Sequence, residues 1–200
     1  MRRPNILIDI PPDTVMVDGG EFSINADFRA GVELEYILQD KESSDKDKVL
    51  AIFNLYYGDN APTNKSEAID AVLDFYKMGK NPQKSIEKMN NQEENEDKKP
   101  HKRSYDLRYD DEYIYAAFLQ YYGLDLCSCS LHWWQFMALF RSLPEESMIV
   151  KIMGYRAADT SKIKNRAERE RIAKLKEVYA LPCEMTDDEK VDLAGSAFGG

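Results

Sequence analysis

The segment Ser130–Arg141, SLHWWQFMALFR, decides how this chain is read. From Leu131 onward only His132, Gln135 and Arg141 are polar. A helix that is apolar almost all round lies in the middle of its own domain or under a partner. Ser130 is the expected N-cap, and the aromatic cluster Trp133, Trp134, Phe136 and Phe140 has two readings, core packing first and partner contact second.

Helical spacing continues on both sides of this segment. Downstream, Pro144-Glu145-Glu146 opens a helix carrying Met148, Ile149, Ile152 and Met153, with Gly154 as its expected stop. A last long helix is expected from Thr160 to Ala180, ended by Leu181-Pro182 and followed by a frayed tail over 183–200. Upstream, Asp110-Asp111-Glu112 reads as an acidic helix start, and Ile114, Ala117, Phe118 and Tyr121 lead to a stop at Gly123. Together these helices form an expected C-terminal lobe over 105–182.

The preceding stretch, 80–104, is rich in Asn, Gln, Glu and Lys and nearly free of apolar residues. Such a sequence buries too little surface to offset its ordering entropy, so it reads as a flexible polar linker. Before it, three amphipathic helices are expected. The first is capped by Asn25 with Asp27 in its first turn, has Phe28, Val32 and Tyr36 on one face, and ends near Asp40. The second starts near Ser44, buries Val49, Ile52, Phe53 and Tyr56, and stops at Gly58. The third has Asn64 and Glu67 in capping-box spacing and Ile69, Val72, Leu73 and Tyr76 on one face. The beginning reads as β, with Ile6-Leu7-Ile8 and Thr14–Val17 as apolar runs and Asp18-Gly19-Gly20 as a turn before Glu21–Ile24. The expected fold class is thus mainly α: a short N-terminal β-hairpin with three helices over 1–79, then a second small helical lobe across the linker.

Composition narrows the function. The 200 residues, 43% hydrophobic and 32% charged, are too apolar for general disorder. Twenty-seven Lys and Arg against 36 Asp and Glu give a net charge of −9, too acidic for a generic nucleic-acid binder. No apolar run approaches the roughly 20 residues of a membrane span, and the start lacks the apolar core of a signal peptide. The expected location is cytosolic.

Little in the sequence proposes catalysis. There is no phosphate-binding glycine loop, no dinucleotide fingerprint, no H-E-x-x-H, no G-x-S-x-G and no EF-hand loop. His101 falls in the linker, and His132 reads as a core or interface histidine bonded to backbone. Cys127, Cys129 and His132, with Cys183, offer a Cys3His zinc reading, but their spacing matches no strong zinc signature and partly buried thiols are the expectation. No enzyme activity, metal or cofactor is expected.

The run Lys162, Lys164, Arg166, Arg169, Arg171 and Lys174 opposes the global charge. Interleaved Glu168 and Glu170 would pair within the helix and repel phosphates, so a solvated face or a surface for an acidic protein partner is the first reading and nucleic acid a lesser one. Met137, Met148 and Met153 fall on helices that could surround a groove for a partner helix, with ordinary core as the alternative.

The ordered phrases DDEYIYAAFLQYYGLDL (110–126), LHWWQFMALFRSLPEE (131–146), IMGYRAADTSKIKN (152–165) and YALP (179–182) resemble the bacteriophage Gp-fifteen family. INADFRAGVELE (24–35) resembles the same family's start. The resemblance implies a siphophage or prophage tail-morphogenesis protein, similar to the tail assembly chaperones of long-tailed phages. It further implies a non-enzymatic role in the host bacterial cytoplasm, with the tape-measure and tail-tube proteins as partners and self-association as a further possibility. The residues expected to bind protein are Trp133, Trp134, Phe136, Met137, Phe140, Met148, Met153, Lys162, Arg166, Arg169 and Arg171. A structural tail or head–tail component is the alternative reading, followed by a nucleic-acid binder using 162–174.

Overall fold

In the computed structural model, which describes residues 4–78 and 103–182, the chain is mainly helical with one short antiparallel hairpin. Two compact units divide the described residues. The first takes 4–78 together with Leu126–Ser142, and the second takes 103–125 together with 143–182. The segment SLHWWQFMALFR, expected in the C-terminal lobe, is therefore part of the N-terminal unit. The linker reading of 80–104 and the frayed tail at 183–200 fall almost wholly outside the described residues.

In the first unit, β1 (Thr14–Val17) and β2 (Gly20–Ser23) pair with Val15 opposite Phe22 and Met16 opposite Glu21. Asp18 and Gly19 both take positive φ, 49° and 74°. That is the signature of a two-residue turn whose twist matches the strands. The turn is tied down: the Asp18 backbone N–H donates to Glu67 Oε2 at 3.1 Å, and Asn64 Nδ2 donates to Asp18 Oδ1 at 2.9 Å. Ile6-Leu7-Ile8, expected as a strand, is instead a turn in which the Ile8 and Asp9 N–H groups donate to Asn5 O.

Three helices follow: α1 (Phe28–Gln39), α2 (Asp45–Tyr56) and α3 (Lys65–Tyr76). Ser44 and Asn64 cap α2 and α3 as expected. α1 is capped by Asp27 instead of Asn25, because the Asp27 side chain accepts the Arg29 N–H at 2.9 Å. Its buried face is Phe28, Ala30, Gly31 and Leu34, with Val32 and Tyr36 only half-buried. α3 buries Ala68, Val72 and Phe75 instead of the Ile69, Leu73 and Tyr76 side. The spacing locates these helices correctly, but a choice between two adjacent apolar stripes depends on what packs against them. Tyr57 donates its hydroxyl to Ala68 O at 2.9 Å, and burial pushes its phenol up to about 12.

The second unit contains α4 (Asp111–Tyr122), α6 (Met148–Ala157) and α7 (Arg166–Val178); α5 (Trp133–Arg141) belongs to the first. Gly123 ends α4 at φ 65°, the left-handed conformation that favours glycine. α6 runs through Gly154 and stops at Ala157, since an exposed helical glycine costs only about 1 kcal/mol relative to alanine. The expected long last helix is broken. Thr160–Lys162 is a single 3-10 turn capped by Asp159, Ile163 is extended, and Asn165 caps α7 by accepting the Glu168 N–H at 3.1 Å. The core of this unit includes Ile114, Phe118, Ile149, Ile152 and Leu181.

Candidate functional site

The aromatic helix α5 is held in the first unit by bonds at its own N-terminus. Asp27 and His132, the N-caps of α1 and α5, form an isolated antiparallel bridge: the Phe28 N–H donates to Leu131 O at 2.9 Å and the Trp133 N–H donates to Ala26 O at 2.8 Å. Arg29 holds the approach to α5, pairing with Asp27 at 3.2 Å and donating to the carbonyls of Leu126 at 2.7 Å and Cys129 at 3.2 Å. Cys127 in this turn is exposed and Cys129 half-buried; Cys183 lies outside the described residues.

His132, not Ser130, caps α5, and both its ring nitrogens face backbone. Nδ1 accepts the Trp134 N–H at 3.0 Å, so the proton sits on Nε2, which donates to Pro12 O at 3.0 Å. Gln135 completes a capping box. Among the described residues no three His, Cys, Asp or Glu side chains are grouped so as to hold a metal.

The cap makes a pH prediction. Desolvation holds the imidazole below its ordinary value, against smaller opposing effects of the Pro12 carbonyl and the Asp13 charge. With the folded value depressed, the stabilisation is complete above the ordinary histidine value and is lost as pH falls through the folded one, because proton uptake at Nδ1 removes the acceptor. Urea denaturation at about pH 7.5 and pH 5 should show the first unit losing about 1 kcal/mol, the size of one N-cap. His132→Asn, which caps without titrating, should flatten that loss; equal pH dependence in the two proteins would disprove the role.

The sequence-predicted site residues separate between the units. Trp133, Trp134, Phe136, Met137 and Phe140 are buried in the interior of the first. Trp133 Nε1 donates to Tyr76 O at 2.9 Å and Trp134 Nε1 to Phe75 O at 2.8 Å, so the two indoles satisfy carbonyls in the last turn of α3. Trp133 stacks on Tyr76 with centroids 5.0 Å apart, and Phe136 stacks on Phe28 at 5.0 Å. These side chains fill their own core, the first of the two readings, and offer no open surface. Met148 and Met153 belong to the second unit, partly exposed and half-buried, so no groove shared with the buried Met137 is formed within either unit.

Lys162, Arg166, Arg169 and Arg171 are exposed. Arg166 pairs with Glu170 at 2.8 Å, Arg171 with Glu168 at 2.8 Å and Lys162 with Asp159 at 3.5 Å. α7 contains no fully buried residue.

Two features escaped the reading of the sequence. One is a buried ion pair: Arg156 and Asp110 face each other through two bonds, 2.6 and 2.8 Å, with side chains 6% and 1% exposed. The other is the turn at Ile6–Ile10, where Leu7, Ile8 and Ile10 are 87%, 72% and 91% exposed. Asp9 inside the apolar run and Pro11-Pro12 after it were the available signals against a strand.

A family model described as Bacteriophage Gp15 protein matches residues 7–181. No match was found among curated proteins or solved structures. Among the described residues no helix is long and apolar enough to cross a membrane.

Proposed function

The chain belongs to the bacteriophage Gp15 protein family, and from that premise we propose that it is a non-enzymatic tail-assembly chaperone that binds the tape-measure protein and helps recruit tail-tube subunits in the host cytoplasm. The observation that carries this reading is the turn at Ile6–Ile10. Three aliphatic side chains stand almost fully in solvent there, on a turn closed by Asn5 and Asp9: the Asn5 N–H donates to Asp9 Oδ2 at 2.6 Å and the Leu7 N–H to Asn5 Oδ1 at 3.0 Å. Scattered apolar residues are ordinary on a surface, whereas a contiguous set marks a place where another apolar surface is received. The apolar stripe of an amphipathic partner helix has the matching chemistry.

The charge supports the same reading. In the described residues the first unit holds 15 Asp and Glu against seven Lys and Arg, a net −8, which favours solubility while apolar surface is being held. The test is capture of tape-measure fragments by the full chain. Leu7→Asp, Ile8→Asp and Ile10→Asp together should lower capture about tenfold or more while leaving the circular dichroism unchanged. Unchanged capture would remove the turn from the reading, and stoichiometric protein in purified virions would replace the chaperone with a structural tail component.

A further inference from the structure

The Ile6–Ile10 turn is joined to the body of the first unit by a short, stiff connection. Pro11 and Pro12 follow it directly. Each proline fixes its own φ near about −65°, and each restricts the residue before it, so Ile10 and Pro11 are both steered to extended backbone. Two residues of this kind make a rod about 6 Å long. The direction of such a rod is set by whatever fixes its far end.

That far end is the carbonyl of Pro12. The bond from the Ile24 N–H to Asp13 O at 2.8 Å carries the hairpin ladder one step beyond the β1 and β2 pairing. The peptide plane between Pro12 and Asp13 lies just outside that ladder, and His132 Nε2 holds it by donating to Pro12 O at 3.0 Å. The imidazole is itself fixed. Nδ1 accepts the Trp134 N–H at 3.0 Å, and the ring lies edge-on to Phe75 and Trp134 with centroids 5.6 and 6.0 Å apart. One side chain thus does two separate things: Nδ1 closes the N-terminus of α5, while Nε2 orients the chain that leads to Leu7, Ile8 and Ile10.

We infer that His132 is a positioning residue for the apolar turn, aiming Leu7, Ile8 and Ile10 at a partner helix through the Pro11-Pro12 rod. The inference rests on the reading of that turn as a docking surface. Three exposed aliphatic side chains held in one direction before binding need less ordering when the partner arrives, and ordering each one costs affinity. Released from His132, the turn keeps its internal bonds but swings on the peptide plane that was held, and the same contacts grip a partner less tightly.

Two substitutions in the full chain separate the two nitrogens. His132→Asn keeps an acceptor at the Nδ1 position and still caps α5, but its side chain stops short of Pro12 O. His132→Gln carries an amide N–H to the Nε2 position and can still donate to Pro12 O, but it is a poor cap. At about pH 7.5, where an ordinary imidazole is neutral, three things are measured: the urea midpoint, the heteronuclear Overhauser effect of the Leu7, Ile8 and Ile10 amides, and capture of tape-measure fragments. His132→Asn should stay nearer the wild-type midpoint than His132→Gln, yet show a lowered Overhauser effect across the turn and capture about threefold or more weakly. His132→Gln, without urea, should match the wild type in Overhauser effect and capture. A histidine with a structural role alone gives the reverse order, capture following stability, and that order overturns the inference. So does an unchanged Overhauser effect in His132→Asn, or unchanged capture by it when the Leu7, Ile8 and Ile10 aspartate variant has lost capture. If that aspartate variant captures normally, the docking reading fails and this inference fails with it.

Discussion

Arg156→Met should destabilise the second unit by about 3–5 kcal/mol, the range for removing one partner of a buried ion pair. The guanidinium is committed on every side: to both carboxylate oxygens of Asp110, to Tyr179 O at 2.5 Å through Nε, and to Ser104 O at 3.2 Å. Without it Asp110 stays buried as an uncompensated charge, stabilised only by the Asp106 N–H at 2.8 Å. Two backbone carbonyls lose their donor as well. The effect reaches the chain beyond α7, because the Tyr179 carbonyl is one of the points at which that segment is held to the unit, with Leu181 fully buried just after it. Urea denaturation followed by far-ultraviolet circular dichroism measures the loss. Arg156→Met combined with Asp110→Asn should recover more than half of it, since the amide removes the buried charge and keeps an acceptor for Asp106. A single-variant loss below about 1 kcal/mol would mean that the pair is hydrated and contributes no more than a surface ion pair.

Gly31→Ala should cost the first unit about 3 kcal/mol, at the upper end of overpacking penalties. A Cβ at this position would lie 2.1 Å from Cε3 and 2.4 Å from Cδ2 of Trp133. The indole has nowhere to go. One face stacks on Tyr76 at 5.0 Å, Phe136 stacks beside it at 5.8 Å, and Nε1 is bonded to Tyr76 O. The gain of about 1 kcal/mol in helix propensity from glycine to alanine is smaller than the clash. Both tryptophans of the chain lie in this unit, so fluorescence during denaturation reports it directly. Trp133→Leu is destabilising by itself through cavity and lost hydrogen bond, yet in that background Gly31→Ala should become nearly neutral. A cost that persists there would place the strain in the α1 backbone instead of in its contact with α5.

How much of this was legible beforehand can be judged residue by residue. Ser44, Asn64 and Gly123 were read correctly as helix punctuation because capping is a local exchange of hydrogen bonds among neighbours in sequence. The Asp18-Gly19 turn was legible for the same reason. The break between Thr160 and Arg166 was missed, although Asp159 and Asn165 are both capping residue types, because the charge pattern invited one continuous helix. Arg156 looks in sequence like any polar residue in the last turn of a helix, and its partner is 46 residues earlier. Gly31 sits inside a helical pattern as an isolated glycine, a sign of close approach that names no partner.

The sequence by itself determined the helical class, the hairpin, the approximate helix positions and membership of a phage protein family, because propensity, periodicity, capping and ordered phrases are all written along the chain. Only the tertiary structure decided that Leu126–Ser142 completes the N-terminal unit. The physical reason is that this choice rests on the pairing of Asp27 with His132, the carbonyls gathered by Arg29, and an indole that fits only where Gly31 has no side chain. Those contacts join residues about a hundred positions apart, and no local pattern contains them.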